Sequence, residues 1–224
     1  MDKYKKIIIC HYGKVGSNTL TESLKLSLNK TSAKIKKHAL YDEYILVTKD
    51  DYLYFTEKYK NDKILIISIF RNLIEVIVSM YFQINGDKLI DKINNNELHE
   101  NDVIHSYNKI STKYFTYYDK YYKDMQEQLF NFNIYNEFKQ NNKKYLFKET
   151  DNIDFLLINY ADINSWNECF KELFQINNFV IVSKNYSIHK SYYDLYKKTL
   201  NNALQSNKNL LKYKNTLHYK FFSK

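Results

Sequence analysis

Lys14 stands between two of the chain's three glycines, in the run His11-Tyr12-Gly13-Lys14-Val15-Gly16-Ser17-Asn18-Thr19-Leu20. An apolar stretch, Ile7-Ile8-Ile9-Cys10, precedes it, and leucines at helical spacing follow. Glycines at such a junction permit a tight backbone path. A helix starting near Ser17 would offer the N–H groups of Gly16 to Thr19, and the positive end of its dipole, to an anion. Lys14 adds a mobile charge; Ser17 and Thr19 add hydroxyl donors. The chemistry this implies is the holding of a phosphate or a sulfate. The kinase-type loop G-x-x-x-x-G-K-[ST] is not matched, because Lys14 precedes Gly16 instead of following it. The same residues also fit a plain glycine turn with Ser17 as helix cap.

The second candidate is Arg71, the only arginine among 34 basic side chains. A composition so skewed toward lysine accepts lysine almost everywhere, so a surviving arginine suggests a need for a planar, forked donor. Arg71 directly follows the apolar run Ile64 to Phe70 and opens the stretch Arg71-Asn72-Leu73-Ile74-Glu75-Val76-Ile77-Val78-Ser79-Met80-Tyr81-Phe82. In a helix, positions eight apart lie roughly on one face. Arg71 and Ser79 could therefore grip one phosphate between them. The plainer reading is a surface arginine, with Ser79 facing a neighbour on its own helix.

These residues need strands and helices to place them. Residues 5–10 and 63–70 read as short buried strands, and 33–38 as a strand ending at His38. Helices are expected over 17–29, with Leu20, Leu24 and Leu28 on one face, over 50–60, and over about 72–84. From 87 to 141 helical spacing and tyrosines dominate, which predicts a helical insert with mostly buried aromatics. Two strands, 143–149 and 154–160, flank an Asp151-Asn152 turn. A helix over 164–174 with Trp166, Phe170 and Leu173 inward, a strand over 179–183 and a helix over 187–210 complete the chain. Alternating strands and helices predict an α/β fold with a mostly parallel sheet, in one domain spanning 1–224. Ligands of such sheets bind beyond the carboxyl ends of the strands.

Composition sets bounds. At 224 residues the chain can bury a real core, and aromatics make up 17% of it. A net charge of +9 draws polyanions: nucleic acid, anionic glycans or phosphorylated small molecules. The lysines are spread along the chain, which favours a solvated surface over a nucleic-acid groove. Cys10 and Cys169 read as buried thiols of a reducing compartment. With no signal-peptide pattern and no apolar span, a cytoplasmic location is expected, peripheral contact with a membrane being left open. No His, Cys, Asp and Glu set has ligand spacing, so no metal is expected.

Together the two stretches resemble the motifs of sulfotransferases that use 3′-phosphoadenosine 5′-phosphosulfate (PAPS). Their first motif, P-K-[TV]-G-[ST]-[ST]-[ST]-L, is similar to Gly13-Lys14-Val15-Gly16-Ser17-Asn18-Thr19-Leu20, with His11 three residues before the lysine as is often seen. Their second, a strand followed by R-[DN]-P-x-x-[RV]-x-x-S-x-[YF]-[FY], is similar to Arg71-Asn72 through Ser79-Met80-Tyr81-Phe82. Leu156 to Asp162 resembles the family's apolar strand ending in a tyrosine and an acid. Asn185-Tyr186, Lys190 and Tyr196 resemble the tail of capsular-polysaccharide-type members. The chain departs from the pattern at Gly13 and Leu73, where the family has proline, and at Val76, where it often has arginine.

The resemblance implies a three-layer α/β/α, nucleotide-kinase-like fold and transfer of a sulfuryl group from PAPS to an acceptor hydroxyl. A carbohydrate acceptor in capsule biosynthesis is the expected case. Lys14 and the N–H groups of Val15, Gly16, Ser17, Asn18 and Thr19 would hold the 5′-phosphosulfate. Arg71 and Ser79 would hold the 3′-phosphate, and His38 would serve as general base. His11 is expected to pack beneath the loop. Two alternatives stay open. One is a nucleotide or small-molecule kinase with an atypical phosphate loop, which needs a Mg²⁺-binding acid such as Asp162 at a strand end. The other is a non-catalytic, basic binding protein for glycan or nucleic acid.

Overall fold

A five-stranded sheet in the order β2-β1-β3-β5-β4 is built mostly from short runs of isoleucine, leucine and phenylalanine, with the lysine-rich β2 at one edge. The strands are β1 (Lys6–His11), β2 (Lys34–Ala39), β3 (Ile64–Phe70), β4 (Tyr145–Lys148) and β5 (Ile153–Asn159). The computed structural model describes residues 3–11, 16–27, 34–39, 57–125, 136, 138, 144–182 and 189–205. Strands β1, β2, β3 and β5 are parallel, and β4 pairs antiparallel with β5 at the edge. Every residue of β3 and β5 is buried. That explains their nearly unbroken apolar sequence, since strands covered on both faces have no solvent side to mark with polar residues.

These strands fall within about two residues of their expected positions. The helices are α1 (Ser17–Ser27), α2 (Leu73–Asn94), α3 (Glu100–Met125), α4 (Trp166–Phe174) and α5 (Tyr193–Gln205). Leu20 and Leu24 of α1 are fully buried, while Leu28 lies outside the described residues. Of the helix expected over 50–60, residues 57 and 58 are helical and 50–56 lie outside the described residues. Helix α2 runs ten residues past its expected end at 84, because nothing between Gln83 and Asn94 breaks it except Gly86. A glycine inside a helix costs only about 1 kcal/mol.

Residues 179–182 are not a strand. The backbone N–H groups of Val180 and Val182 donate to the side-chain hydroxyls of Ser27 (3.1 Å) and Ser23 (2.8 Å) on α1. Alternate residues of an extended chain advance about 6.6 Å, and four residues of a helix about 6 Å, so the two spacings match. Phe179 stacks on Phe170 of α4 at 4.2 Å and anchors the segment. The valines of this stretch have the pattern of a strand, but the serines of α1 take the place of a ladder.

The chain forms two compact units: Met1–Arg71 with Lys120–Lys184, and Asn72–Asp119 with Asn185–Lys224. The first holds the sheet with α1 and α4. Inside it Trp166, Cys169, Phe170 and Phe174 of α4 are buried, and Phe174 meets Tyr4 and Phe147 edge-on. Leu173, expected inward, is only half-buried, because Cys169 and Phe174 complete the inner face with Trp166 and Phe170. Burial pushes the Cys169 thiol well up from its ordinary pKa, which keeps it protonated.

Among the described residues the second unit is mainly helical. Asn72 caps α2 by accepting the Ile74 N–H at 3.0 Å. Leu73, Ile74, Val76, Ile77, Val78, Met80 and Phe82 of α2 are buried. Phe82 contacts Tyr192 and Tyr196, and the Tyr192 ring occupies the place that a side chain on Gly86 would take. Gly86 therefore stands in mid-helix because only a bare backbone admits that ring.

Candidate functional site

The parallel pairing brings the carboxyl ends of β1, β2, β3 and β5 to one edge of the sheet. His11, Ala39, Phe70 and Asn159 end these strands. From β1 the chain passes outward to β2, then returns across β1 to β3. The switch point thus falls between β1 and β3, where open α/β sheets bind ligands. Gly16 and α1 follow β1 there, and Arg71 follows β3.

Gly16 has φ +93°, a conformation disfavoured for residues with a Cβ. Its carbonyl accepts the N–H of Leu20 at 3.0 Å, which makes Gly16 the cap and Ser17 the first helical residue. Ser17 is therefore not the helix cap that the sequence suggests. The N–H groups of Ser17, Asn18 and Thr19 precede the first intrahelical bond and belong to the positive end of α1. Ser17 and Thr19 are buried and Asn18 is exposed. Thr21 donates its hydroxyl to the Ser17 carbonyl at 2.7 Å, bracing the first turn.

Arg71 lies immediately beyond β3 and is half-buried. Its guanidinium carbon sits 4.2 Å from the centroid of the Tyr160 ring, a stacking distance. The same ring approaches Gly16: its Cε2 and Cδ2 lie 2.5 and 2.8 Å from where a Cβ on Gly16 would stand. One aromatic ring therefore touches both stretches singled out from the sequence.

Tyr160 begins a 3₁₀ turn, Tyr160–Ser165, directly after β5. Asn159 locks that corner. Its Oδ1 accepts the Ala161 N–H at 3.1 Å, and its Nδ2 donates to Asp162 at 3.0 Å. Its carbonyl accepts Nε1–H of Trp166 at 3.0 Å, and the Trp166 ring meets Tyr160 edge-on. Sequence reasoning singles out neither Tyr160 nor Asn159 as a site residue. The available signal is an aromatic residue directly following a buried strand, in the stretch Leu156 to Asp162.

The other expected site residues fall as follows. Lys14 and Val15 lie outside the described residues. His38 is the next-to-last residue of β2, in register with Cys10 of β1, which in turn is in register with Ser68 of β3. His11 ends β1. Ser79 belongs to the second unit, half-buried two turns into α2. Among the described residues no group of three or more His, Cys, Asp and Glu is placed to hold a metal ion. No helix among them is long and apolar enough to cross a membrane.

Comparison with protein-family models, with curated proteins and with solved structures finds no match for this chain.

Proposed function

We propose that the chain is a PAPS-dependent sulfotransferase of three-layer, nucleotide-kinase-like architecture, acting on a carbohydrate hydroxyl. The observation that carries this reading is the meeting of Gly16 and Arg71 on the Tyr160 ring at the sheet's switch point. A helix N-terminus and a bidentate cation within reach of one ring suit a ligand with two anionic groups. A nucleotide bearing a 5′-phosphosulfate and a 3′-phosphate is such a ligand.

In the proposed reaction the acceptor oxygen bonds to sulfur as the bond from sulfur to the bridging oxygen of the 5′-phosphate breaks. Adenosine 3′,5′-bisphosphate leaves with the electron pair, and the acceptor proton passes to His38. Lys14 and the N–H groups from Val15 to Thr19 stabilise the charge growing on the bridging oxygen, an effect preorganised by the fold. The family resemblance assigns Arg71 and Ser79 to the 3′-phosphate.

Calorimetric titration tests the assignment. Adenosine 3′,5′-bisphosphate is expected to bind more tightly than ATP–Mg²⁺; the reverse order would replace this reading with a kinase. Failure of both nucleotides, with steeply salt-dependent binding to an anionic glycan or nucleic acid, would replace it with a binding protein. Hydrogen bonds to charged groups are worth about 1.5–3 kcal/mol. Arg71→Lys is therefore expected to lose roughly 10- to 100-fold of the preference for adenosine 3′,5′-bisphosphate over 5′-AMP. An unchanged ratio of the two dissociation constants would remove Arg71 from the 3′-phosphate.

A further inference from the structure

We infer that the ring of Tyr160, rather than its hydroxyl, sets the plane of the Arg71 fork and thereby the preference for a 3′-phosphorylated nucleotide. The inference rests on the nucleotide reading above and adds a positioning residue to it. A guanidinium stacked on an aromatic face keeps its N–H groups in its own plane, directed past the ring edge. The ring therefore orients the fork without consuming a donor. The 4.2 Å separation of the Arg71 guanidinium carbon from the ring centroid is that of such a stack. Lysine, with a rotating ammonium on a flexible stem, cannot be aligned this way, which accounts for an arginine in a chain otherwise content with lysine.

The ring is itself held in place from two sides. Gly16 supplies the bare backbone against which its edge lies, at 2.5 Å from the absent Cβ position. The Asn159 corner holds the other side through Ala161, Asp162 and Trp166. Rotation of Tyr160 away from Arg71 would have to disturb the edge contact with Trp166. The N-terminus of α1 and the arginine are thus referred to one rigid aromatic, which links the two anion-holding parts of the proposed site.

The test is the ratio of dissociation constants for 5′-AMP and adenosine 3′,5′-bisphosphate, measured by calorimetry on the full chain. Tyr160→Phe keeps the ring and is expected to keep the ratio. Tyr160→Leu removes the ring and is expected to lower the ratio roughly three- to thirtyfold, the range of a cation–π contact. Adding Tyr160→Leu to Arg71→Lys should lower it little further, because the ring acts only through the arginine. Tyr160→Met, closer in volume, carries the same test if the leucine variant does not fold. An unchanged ratio in the leucine or methionine variant would overturn the positioning role. Loss of the ratio in Tyr160→Phe would overturn it too, by moving the role to the hydroxyl. A wild-type protein without any preference would instead overturn the nucleotide reading, so the two failures are distinguishable.

Discussion

Asp154→Ala is expected to destabilise the protein by about 3–5 kcal/mol, the cost of breaking a buried, hydrogen-bonded ion pair from one side. Asp154 is completely buried in β5, near the amino end of the sheet. Its carboxylate accepts from Tyr4 Oη at 2.6 Å, Lys63 Nζ at 2.5 Å and the Thr150 N–H at 3.1 Å. Lys3 Nζ stands at 3.2 Å and is shared with Glu149. Removing the carboxylate leaves the buried Tyr4 hydroxyl and the Lys63 ammonium without this acceptor. Urea unfolding measures the loss; a cost under about 1 kcal/mol, the level of an exposed pair, would show that the network contributes little.

The same group makes stability depend on acid. Burial pushes the Asp154 pKa up, but the hydrogen bonds from Lys63, Tyr4, the Thr150 N–H and Lys3 outweigh it and hold the carboxyl below its ordinary value. A carboxylate depressed in the folded state contributes stability that is fully present above the unfolded pKa, about 3.9. That stability is lost as pH falls from there through the lower folded value. Asp154→Asn is expected to flatten this acid branch of the stability curve and leave its shape above about pH 5 unchanged. Burial and the adjacent Asp154 carboxylate push the Tyr4 hydroxyl far above its usual range, so Tyr4 remains a donor throughout.

Gly16→Ala is the second large expected effect, this one on binding. Placing an L-residue in the left-handed half of backbone space costs roughly 1–2 kcal/mol. The new methyl would also stand 2.5 Å from the Tyr160 ring and force that ring to move. The backbone cost appears as lower stability in urea unfolding. Displacement of the ring appears separately, as loss of affinity for adenosine 3′,5′-bisphosphate together with loss of its preference over 5′-AMP. A variant that is less stable but keeps both binding properties would show Gly16 to be a turn residue only. Gly86→Ala provides the contrast, since its crowding against Tyr192 lies within the helical unit.

Most of the strands are legible in the sequence as compact apolar runs between polar turns, although β2, Lys34-Ile35-Lys36-Lys37-His38-Ala39, is not such a run. Ile64 to Phe70 and Ile153 to Ile158 show this most plainly, and both are fully buried. The Asp151-Asn152 turn is legible for the same local reason. Its side chain ties it down: Asn152 donates to the Lys60 carbonyl at 2.7 Å. Residues 179–182 mislead because a short run of apolar and β-branched residues, Phe179-Val180-Ile181-Val182, signals only an extended chain. Whether its N–H groups meet another strand or the hydroxyls of Ser23 and Ser27 depends on residues more than 150 positions away. The end of α2 is not legible because no stop signal stands at 84, and the helix continues to Asn94.

By itself the sequence determined the order of the five strands, the glycine at the head of α1 and the isolation of one arginine after β3. Those are local properties: burial patterns and backbone freedom are written in a few consecutive residues. Only the tertiary structure decided that Gly16, Arg71 and Tyr160 converge, because that requires β1, β3 and β5 to lie side by side and in parallel. It also decided that Lys3, Tyr4, Lys63 and Thr150 share one buried carboxylate. Stacking and ion pairing act over a few ångströms, and strand pairing sets which distant residues come that close.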